Sequence, residues 1–191
     1  MRVEVGAAVE PMVGQSVSGD AIIVVETEET LLAGIVDGLG HGPVAAEVAA
    51  TFRSVVERLP RSSPEVILAE CDRSLFGTRG AVAGLLRVEL ASRRLSFAGV
   101  GNTTFVAKAA IPMHVVSLPG ILGRLRRARP VRFDFQLSDG DLVALHSDGV
   151  SSVDLRDADG RSLSDFAREV IDGRGREDDR SCVVLRIASE T

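Results

Sequence analysis

Several acidic residues of the chain share one local setting, in which a carboxylate lies at the end of an apolar, strand-like run. Asp20 comes just before such a run, Asp37 and Asp148 follow others, and Asp178 and Asp179 precede the last one. In an antiparallel sheet the end of one strand lies beside the start of its neighbour, so these carboxylates can collect at one edge. Grouped carboxylates raise one another's pKa unless a cation neutralises them. The pattern therefore indicates a site for a hard divalent cation such as Mg²⁺ or Mn²⁺.

Asp37 is the most informative of these residues. The apolar run 31–36 before it has the length of a buried strand, and an alanine-rich helical pattern begins at Pro43. Three glycines within residues 38–42 allow the backbone to bend sharply between the two. Taken alone, Asp37 could be a metal ligand, part of a phosphate-binding turn or a turn former.

Two other binding motifs are disfavoured by their spacing. A dinucleotide-binding turn needs glycine where Pro43 stands, and the later chain predicts a meander instead of further βαβ units. The chain also lacks the GKS or GKT ending of a phosphate-binding P-loop. The acidic stretch 154–160 has Leu155 where a calcium-binding loop needs Asp, so we expect a surface turn there.

Composition narrows the class of protein. The chain has 191 residues, 45% of them apolar, which is enough for a full core without disulfide or metal cross-links. A formal net charge of -5 and the absence of Trp and Tyr argue against general nucleic-acid binding. With only two cysteines, no apolar leader and no apolar run near the roughly 20 residues of a membrane span, we expect a cytoplasmic protein.

The periodicity predicts a single α+β domain over residues 1–191, with about ten strands and three or four helices. Helical patterns occur in separate groups instead of alternating with every strand, which favours antiparallel sheets. We predict strands at 2–10, 21–25, 31–36, 81–90, 95–99, 103–109, 113–118, 131–137, 142–146 and 182–187, and helices at 43–59, 64–76 and 162–171. Residues 119–130 and 172–180 are predicted loops.

The order of the acidic motifs resembles that of a known enzyme family. The motifs of this chain are Ser18-Gly19-Asp20, Val36-Asp37-Gly38-Leu39-Gly40-His41-Gly42, Ser147-Asp148-Gly149 and the stretch from Asp178 to Arg186. The stretches from Arg79 to Ala83 and from Val100 to Phe105 add to the resemblance. In this order they resemble the metal-dependent (PPM, type-2C) serine/threonine phosphatases, in particular the bacterial SpoIIE branch and its stand-alone, RsbX-like stressosome phosphatases. The resemblance spans nearly the whole chain. It implies an α-β-β-α sandwich, in which two antiparallel sheets are flanked by helices.

The resemblance also implies a site for two divalent cations, Mn²⁺ or Mg²⁺. Asp37 would bridge the two ions, with the Gly38 carbonyl and Asp178 on one and Asp148 on the other. A hydroxide held between the ions would attack phosphorus in line with the departing Ser or Thr oxygen. Asp37 and Asp148 would therefore contribute to catalysis through metal-bound water, without a protein nucleophile.

Three further residues receive roles of lower priority from the same resemblance or from their chemistry. Asp20 would reach a metal directly or through a bound water. Asp179 is the second choice beside Asp178 as a ligand. Because histidine as a residue type can exchange protons near neutral pH, His41 is a candidate phosphate contact or general acid, against the simpler interpretation of an exposed loop residue.

The resemblance implies phosphorylated STAS-domain regulatory proteins of the stressosome scaffold type as substrates, and neither nucleic acid nor membrane as a partner. One basic run, from Gly123 to Arg129, could attract an acidic or phosphorylated partner, or it could be a solvated loop. Cys71 and Cys182 are expected to be small core residues. The alternative function is a catalytically silent module of the same fold that binds phosphorylated partners.

Overall fold

The computed structural model describes residues 1–125, 129–172 and 177–189. Within these ranges there are nine strands, three α-helices and one short 3₁₀ turn at Leu155–Ala158. The strands are β1 (Arg2–Glu10), β2 (Asp20–Glu26), β3 (Thr30–Gly38), β4 (Ala81–Glu89), β5 (Arg94–Val100), β6 (Thr104–Lys108), β7 (Phe133–Gln136), β8 (Leu142–His146) and β9 (Arg180–Ala188). The helices are α1 (Pro43–Arg58), α2 (Pro64–Ser74) and α3 (Leu163–Ile171).

The strands form two sheets in which every neighbouring pair is antiparallel. One sheet has the order β1-β9-β8-β6 and the other the order β2-β3-β4-β5-β7. Helices α1 and α2 contact the five-stranded sheet, and α3 contacts β1 and β9 of the four-stranded sheet. The predicted α-β-β-α sandwich is therefore confirmed.

Alternation along the strands divides the core into layers. On β3, Leu32 and Val36 face the cluster that contains the residues of α1 and α2, whereas Ala33 and Ile35 belong to the cluster between the two sheets. On β9, Val184 packs into a further cluster with α3. Successive side chains of a strand point to opposite faces of its sheet. Because both faces of the central strands are covered, the residues on both faces are apolar.

The helix boundaries follow local chemistry. Proline occupies the first helical turn of α1 and of α2, where a missing N–H leaves no hydrogen bond unmade. Ser162 begins α3, and its hydroxyl accepts a hydrogen bond from the Asp165 N–H. In the described part of the chain no helix combines the length and apolar content that crossing a bilayer requires.

One predicted strand is wrong. Residues 113–118 form no strand, and only Leu118 makes an isolated bridge, to Val100. The outer edge of β5 is already paired from Arg94 to Phe97 with β7, so only its last residues remain for Leu118. Of the basic run, residues 126–128 lie outside the described residues, as do residues 173–176 of the predicted loop 172–180.

Candidate active site

The hairpin of β2 and β3 brings two of the predicted carboxylates face to face. Asp20 begins β2 and Asp37 is the second-last residue of β3, and the two are direct partners in the ladder. Val82 of β4 pairs with Asp37 on its other side. Because residues directly opposite each other in an antiparallel pair have neighbouring side chains, the two carboxylates lie close together at this end of the sheet.

The second sheet supplies the remaining carboxylates from the turn after β8 and from the residues before β9. Two hydrogen bonds join these segments: the Ser147 N–H donates to the Ser181 carbonyl at 3.0 Å, and the Ser181 N–H donates to Ser147 Oγ at 2.9 Å. They hold Asp148 beside Asp178. We call Asp20, Asp37, Asp148 and Asp178 together the carboxylate edge.

An open pocket of about 720 Å³ lies over this edge. It is lined by Asp37, Leu39, Gly40, His41, Val82, Gly101, Asn102, Ser117, Pro119, Gly120, Ile121, Asp148, Glu177 and Asp178. Three of the four edge carboxylates therefore face the pocket. Asp20 is not among the lining residues and is only 5% exposed, so it lies behind Asp37.

Burial and mutual repulsion disfavour the charged form of the carboxylates at the carboxylate edge. Burial, joined by the charges of Asp20, Asp148 and Asp178, raises the pKa of Asp37 from 3.8 to about 8. Burial also raises the pKa of Asp20 to about 6, although a 2.7 Å hydrogen bond from Ser181 Oγ opposes the shift. The described protein groups thus leave Asp37 without a neutralising partner at neutral pH, as expected where a cation belongs.

Asp148 and Asp178 each interact with one further residue that lines the pocket, the first through a hydrogen bond and the second electrostatically. The Asn102 side-chain amide donates to Asp148 Oδ2 at 2.7 Å, which fixes the orientation of that carboxylate. Burial raises the pKa of Asp178, and the nearby His41 acts in the opposite direction. His41 therefore lies close to the carboxylates, in the pocket, as a residue with either of its predicted roles would.

Asp179 differs from its neighbour. It is 3% exposed, and its two oxygens accept backbone hydrogen bonds from Met12 and Gly19, each at 2.8 Å. It is not among the residues that line the pocket. Its carboxylate ties the segment before β2 to the start of β9, whereas Asp178 is exposed at the pocket.

The donor atoms fit a hard cation that keeps part of its water shell. Carboxylate oxygens predominate at the pocket, and both cysteines are buried in apolar clusters elsewhere. Among the described residues, no three His, Cys, Asp or Glu side chains converge into a group that would hold an ion unaided. Mg²⁺ is commonly bound by one or two carboxylates with several waters retained, so this open arrangement suits it better than it suits Zn²⁺.

Four of residues 117–121 also line this pocket, and we call this segment the pocket wall. Leu118 exchanges two 2.9 Å backbone hydrogen bonds with Gly99 and Gly101. Just beyond the wall, Leu122 pairs with Ala81, and the Asp72 carboxylate of α2 accepts hydrogen bonds from the Gly123 and Leu125 N–H groups at 2.6 and 3.1 Å. The wall is thus attached at both ends.

Arg79 lies at the rim on the carboxylate side. Its guanidinium passes over Gly40, where an added Cβ would stand only 2.7 Å from Nη1. The residue is exposed, and within the described ranges it forms no ion pair. It brings positive charge next to a pocket lined by carboxylates.

The sequence motifs predict no role for four residues of the site and its surroundings: Asn102, Ser181, Arg79 and Asp72. Asn102, Arg79 and Ser181 stand in stretches that belong to the resemblance, so a local signal existed for all three. Ser181 contacts Asp20 across 161 positions of sequence, and no local pattern encodes such a contact. The two cysteines are buried as predicted, and burial raises the pKa of both thiols.

Comparison with known proteins agrees with this geometry. The model of the family described as "Stage II sporulation protein E (SpoIIE)" matches residues 27–188. The protein "Phosphoserine phosphatase RsbX" of Bacillus subtilis (strain 168) is 27% identical over 146 residues, which are 75% of this chain and 72% of that protein.

Two solved structures extend the match to the fold. One, described as "The bacterial stressosome: a modular system that has been adapted to control secondary messenger signaling", has a TM-score of 0.91 and 31% identity, covering 97% of this chain and 100% of the other. A crystal structure of RsbX in complex with magnesium has a TM-score of 0.86 and 22% identity, covering 97% and 96% of the two chains.

Proposed function

The chain belongs to the SpoIIE family and is a protein serine/threonine phosphatase, and we propose that it acts through two divalent cations at the carboxylate edge. The observation that carries this proposal is the meeting of Asp37, Asp148 and Asp178, from two different sheets, in one open pocket. The raised pKa of Asp37 supports it, because the cluster has a charge that a cation would neutralise.

Each edge residue receives a role in this proposal. Asp37 would hold both ions, with the Gly38 carbonyl and Asp178 contributing to one and Asp148 to the other. Asp20 would reach an ion directly or through a bound water, and a 2.7 Å hydrogen bond from Ser181 fixes its carboxylate. When bound, Mn²⁺ or Mg²⁺ would supply a water of lowered pKa and offset the charge on the phosphoryl oxygens.

The remaining residues orient a ligand or bind the substrate. Asn102 keeps Asp148 in one orientation through Oδ2 and leaves Oδ1 free of this hydrogen bond, so Oδ1 would be the oxygen offered to an ion. Arg79 and His41 supply positive charge or hydrogen-bond donors at the rim for the phosphoryl oxygens. The buried thiols of Cys71 and Cys182 do not face the pocket, which supports hydrolysis without a covalent enzyme intermediate.

Phosphorylated STAS-domain proteins of the stressosome type are the proposed substrates. The similarity to RsbX and to the structure described as the bacterial stressosome supports this choice. A pocket that is open to solvent also suits a phosphorylated side chain on a folded protein surface better than it suits a small enclosed metabolite. The proposed location is the cytoplasm, where such partners would be found.

The test is phosphate release from a phosphorylated STAS-domain protein in the presence of Mn²⁺, with Mg²⁺ and EDTA in parallel. We expect turnover with either metal and none with EDTA. Asp148→Asn serves as the inactive control, because it keeps the shape of the side chain but removes its charge.

The second candidate is a silent module that binds phosphorylated partners. The presence of every expected carboxylate argues against it. Well-folded protein that binds a phosphorylated STAS-domain protein but releases no phosphate with either metal would favour this candidate and contradict the enzyme proposal.

A further inference from the structure

Asp179 lies beside the point at which the β2–β3 ladder would continue by one more hydrogen-bonded residue pair. The register that sets Asp20 opposite Asp37 sets Gly19 opposite Gly38 one residue further on. The Gly38 N–H does donate to the Gly19 carbonyl, at 3.1 Å. In a regular antiparallel pair of this kind the second residue returns the bond, so the Gly19 N–H would donate to the Gly38 carbonyl.

The expected hydrogen bond from the Gly19 N–H to the Gly38 carbonyl is not formed. The Gly19 N–H donates instead to Asp179 Oδ2 at 2.8 Å. A Cβ added at Gly19 would lie 3.3 Å from the Gly38 oxygen and 2.9 Å from Asp179 Oδ2, so both acceptors lie beside the same short stretch of backbone. Toward β4 the bonded residue is Leu39, whose N–H donates to the Gly80 carbonyl at 3.0 Å. Outside the strand ladders, no hydrogen bond to the Gly38 carbonyl occurs among the described residues.

We propose that Asp179 is a positioning residue, which keeps the Gly38 carbonyl available to a cation by taking the Gly19 N–H out of the ladder. The inference rests on the proposed metal site. A carbonyl already engaged by an N–H is a poorer oxygen ligand, because the two compete for its electron density. Asp179 removes that competitor without itself entering the pocket.

The surroundings of Asp179 make it rigid enough for this role. Its other oxygen accepts from the Met12 N–H at 2.8 Å, which anchors the segment leading to Asp20. The turn that carries Asp148 packs on its backbone, because a Cβ added at Gly149 would lie 2.0 Å from the Asp179 carbonyl oxygen. Asp179 therefore holds the segment leading to Asp20 through its carboxylate and the turn that carries Asp148 through its backbone.

The experiment compares Mn²⁺ binding by wild type, Asp179→Ala and Asp179→Asn, measured by calorimetry, with hydrogen exchange of the Gly19 amide in metal-free protein. We expect Asp179→Ala to weaken Mn²⁺ binding by about 10–100-fold, the usual cost of losing a group that orients a metal ligand. The Gly19 amide should stay protected, because it returns to the Gly38 carbonyl. Asp179→Asn retains one acceptor oxygen and should fall between wild type and Asp179→Ala.

Two results would overturn the inference. Unchanged Mn²⁺ affinity in Asp179→Ala would show that the carbonyl does not depend on Asp179. Weaker binding together with an unprotected Gly19 amide would show that Asp179 only holds the preceding segment in place. Wild-type protein that neither binds Mn²⁺ nor releases phosphate would contradict the proposed function itself, and the inference with it.

Discussion

The carboxylate edge and the pocket wall line one pocket, but they are held in different ways. The edge consists of two strand residues, Asp20 and Asp37, and two residues in short segments next to strands, Asp148 and Asp178. Hydrogen bonds between the two sheets, such as the bond from Ser181 to Asp20, join these parts. The wall, residues 117–121, is fully described and adopts no regular element apart from the bridge at Leu118. It is attached through backbone bonds at its ends and through Asp72 just beyond it.

This difference separates chemistry from recognition. A site that holds cations needs ligands fixed within a fraction of an ångström. Strand residues, and short turns hydrogen-bonded to strands as Ser147 is to Ser181, provide that better than a long irregular segment does. A surface that meets a protein substrate can vary more freely on a loop without disturbing the chemistry. Changes at the edge should therefore affect every phosphate ester, whereas changes at the wall should affect only large substrates.

The largest effect is expected from Asp37→Asn and Asp148→Asn. Each removes a charge that the proposed ions need, so activity should fall by about 10³-fold or more, the scale of losing a central electrostatic group. The loss should be equal for p-nitrophenyl phosphate and for a phosphoprotein, since both use the same edge. Initial rates with saturating Mn²⁺ measure it, and circular dichroism checks the fold.

Asp139→Asn is the matched control for these variants. Asp139 lies in an exposed turn before β8, whereas Asp148 follows the other end of that strand, and Asp139 pairs with Arg93. Its loss should leave the rate unchanged. Near-normal activity of either edge variant would refute the two-metal assignment.

The next effect concerns stability without metal. The pKa of Asp37 is raised from 3.8 to about 8, so the folded protein holds this proton more tightly than the unfolded chain does. Its contribution to stability is complete below the ordinary value of 3.8 and is lost as pH rises through about 8. At pH 8 in EDTA, Asp37→Asn should therefore be more stable than wild type by about 1–3 kcal/mol, a discounted figure because part of the group meets solvent.

Urea unfolding at several pH values between 4 and 8 tests this, because the advantage of the variant should vanish at the acidic end. Added Mn²⁺ should stabilise wild type and not the variant, since only wild type retains the bridging carboxylate. Equal stability of the two proteins at pH 8 without metal would contradict the electrostatic account of the edge.

The carboxylate edge was predictable from sequence, whereas the wall was not. Each edge residue belongs to a short motif at a strand end, and the resemblance orders these motifs. The predicted strand over 113–118 failed because pairing depends on a free partner, and β7 already occupies the first half of the β5 edge. The contacts of Asp72 with Gly123 and Leu125 join residues about fifty positions apart, which no local pattern encodes.

A smaller effect is expected at Arg79, which lies over Gly40 on the edge side of the pocket. Arg79→Ala should weaken substrate binding by about tenfold for small and large substrates alike, because a charge-assisted contact to phosphate contributes about 1.5 kcal/mol. Values of KM and the inhibition constant of inorganic phosphate measure it. Arg79→Lys keeps the charge and should recover part of the loss. A change confined to the phosphoprotein would instead assign Arg79 to recognition of the protein surface.

The smallest effect on activity is expected from a change in the attachment of the pocket wall. In Asp72→Ala the Gly123 and Leu125 N–H groups lose their shared acceptor, so the segment that follows the wall should loosen. We expect KM for a phosphoprotein to rise by roughly threefold, less than the loss of one full hydrogen bond, because Leu118 and Leu122 still attach the wall.

Asp72→Asn provides the control, because both hydrogen bonds converge on Oδ1 and a single amide oxygen can accept them. This variant should behave like wild type. The rate with p-nitrophenyl phosphate should be unchanged in both variants, since that substrate does not reach beyond the edge. If Asp72→Ala slowed the small substrate as much as the phosphoprotein, the wall would take part in the chemistry and the distinction between the two regions would fail.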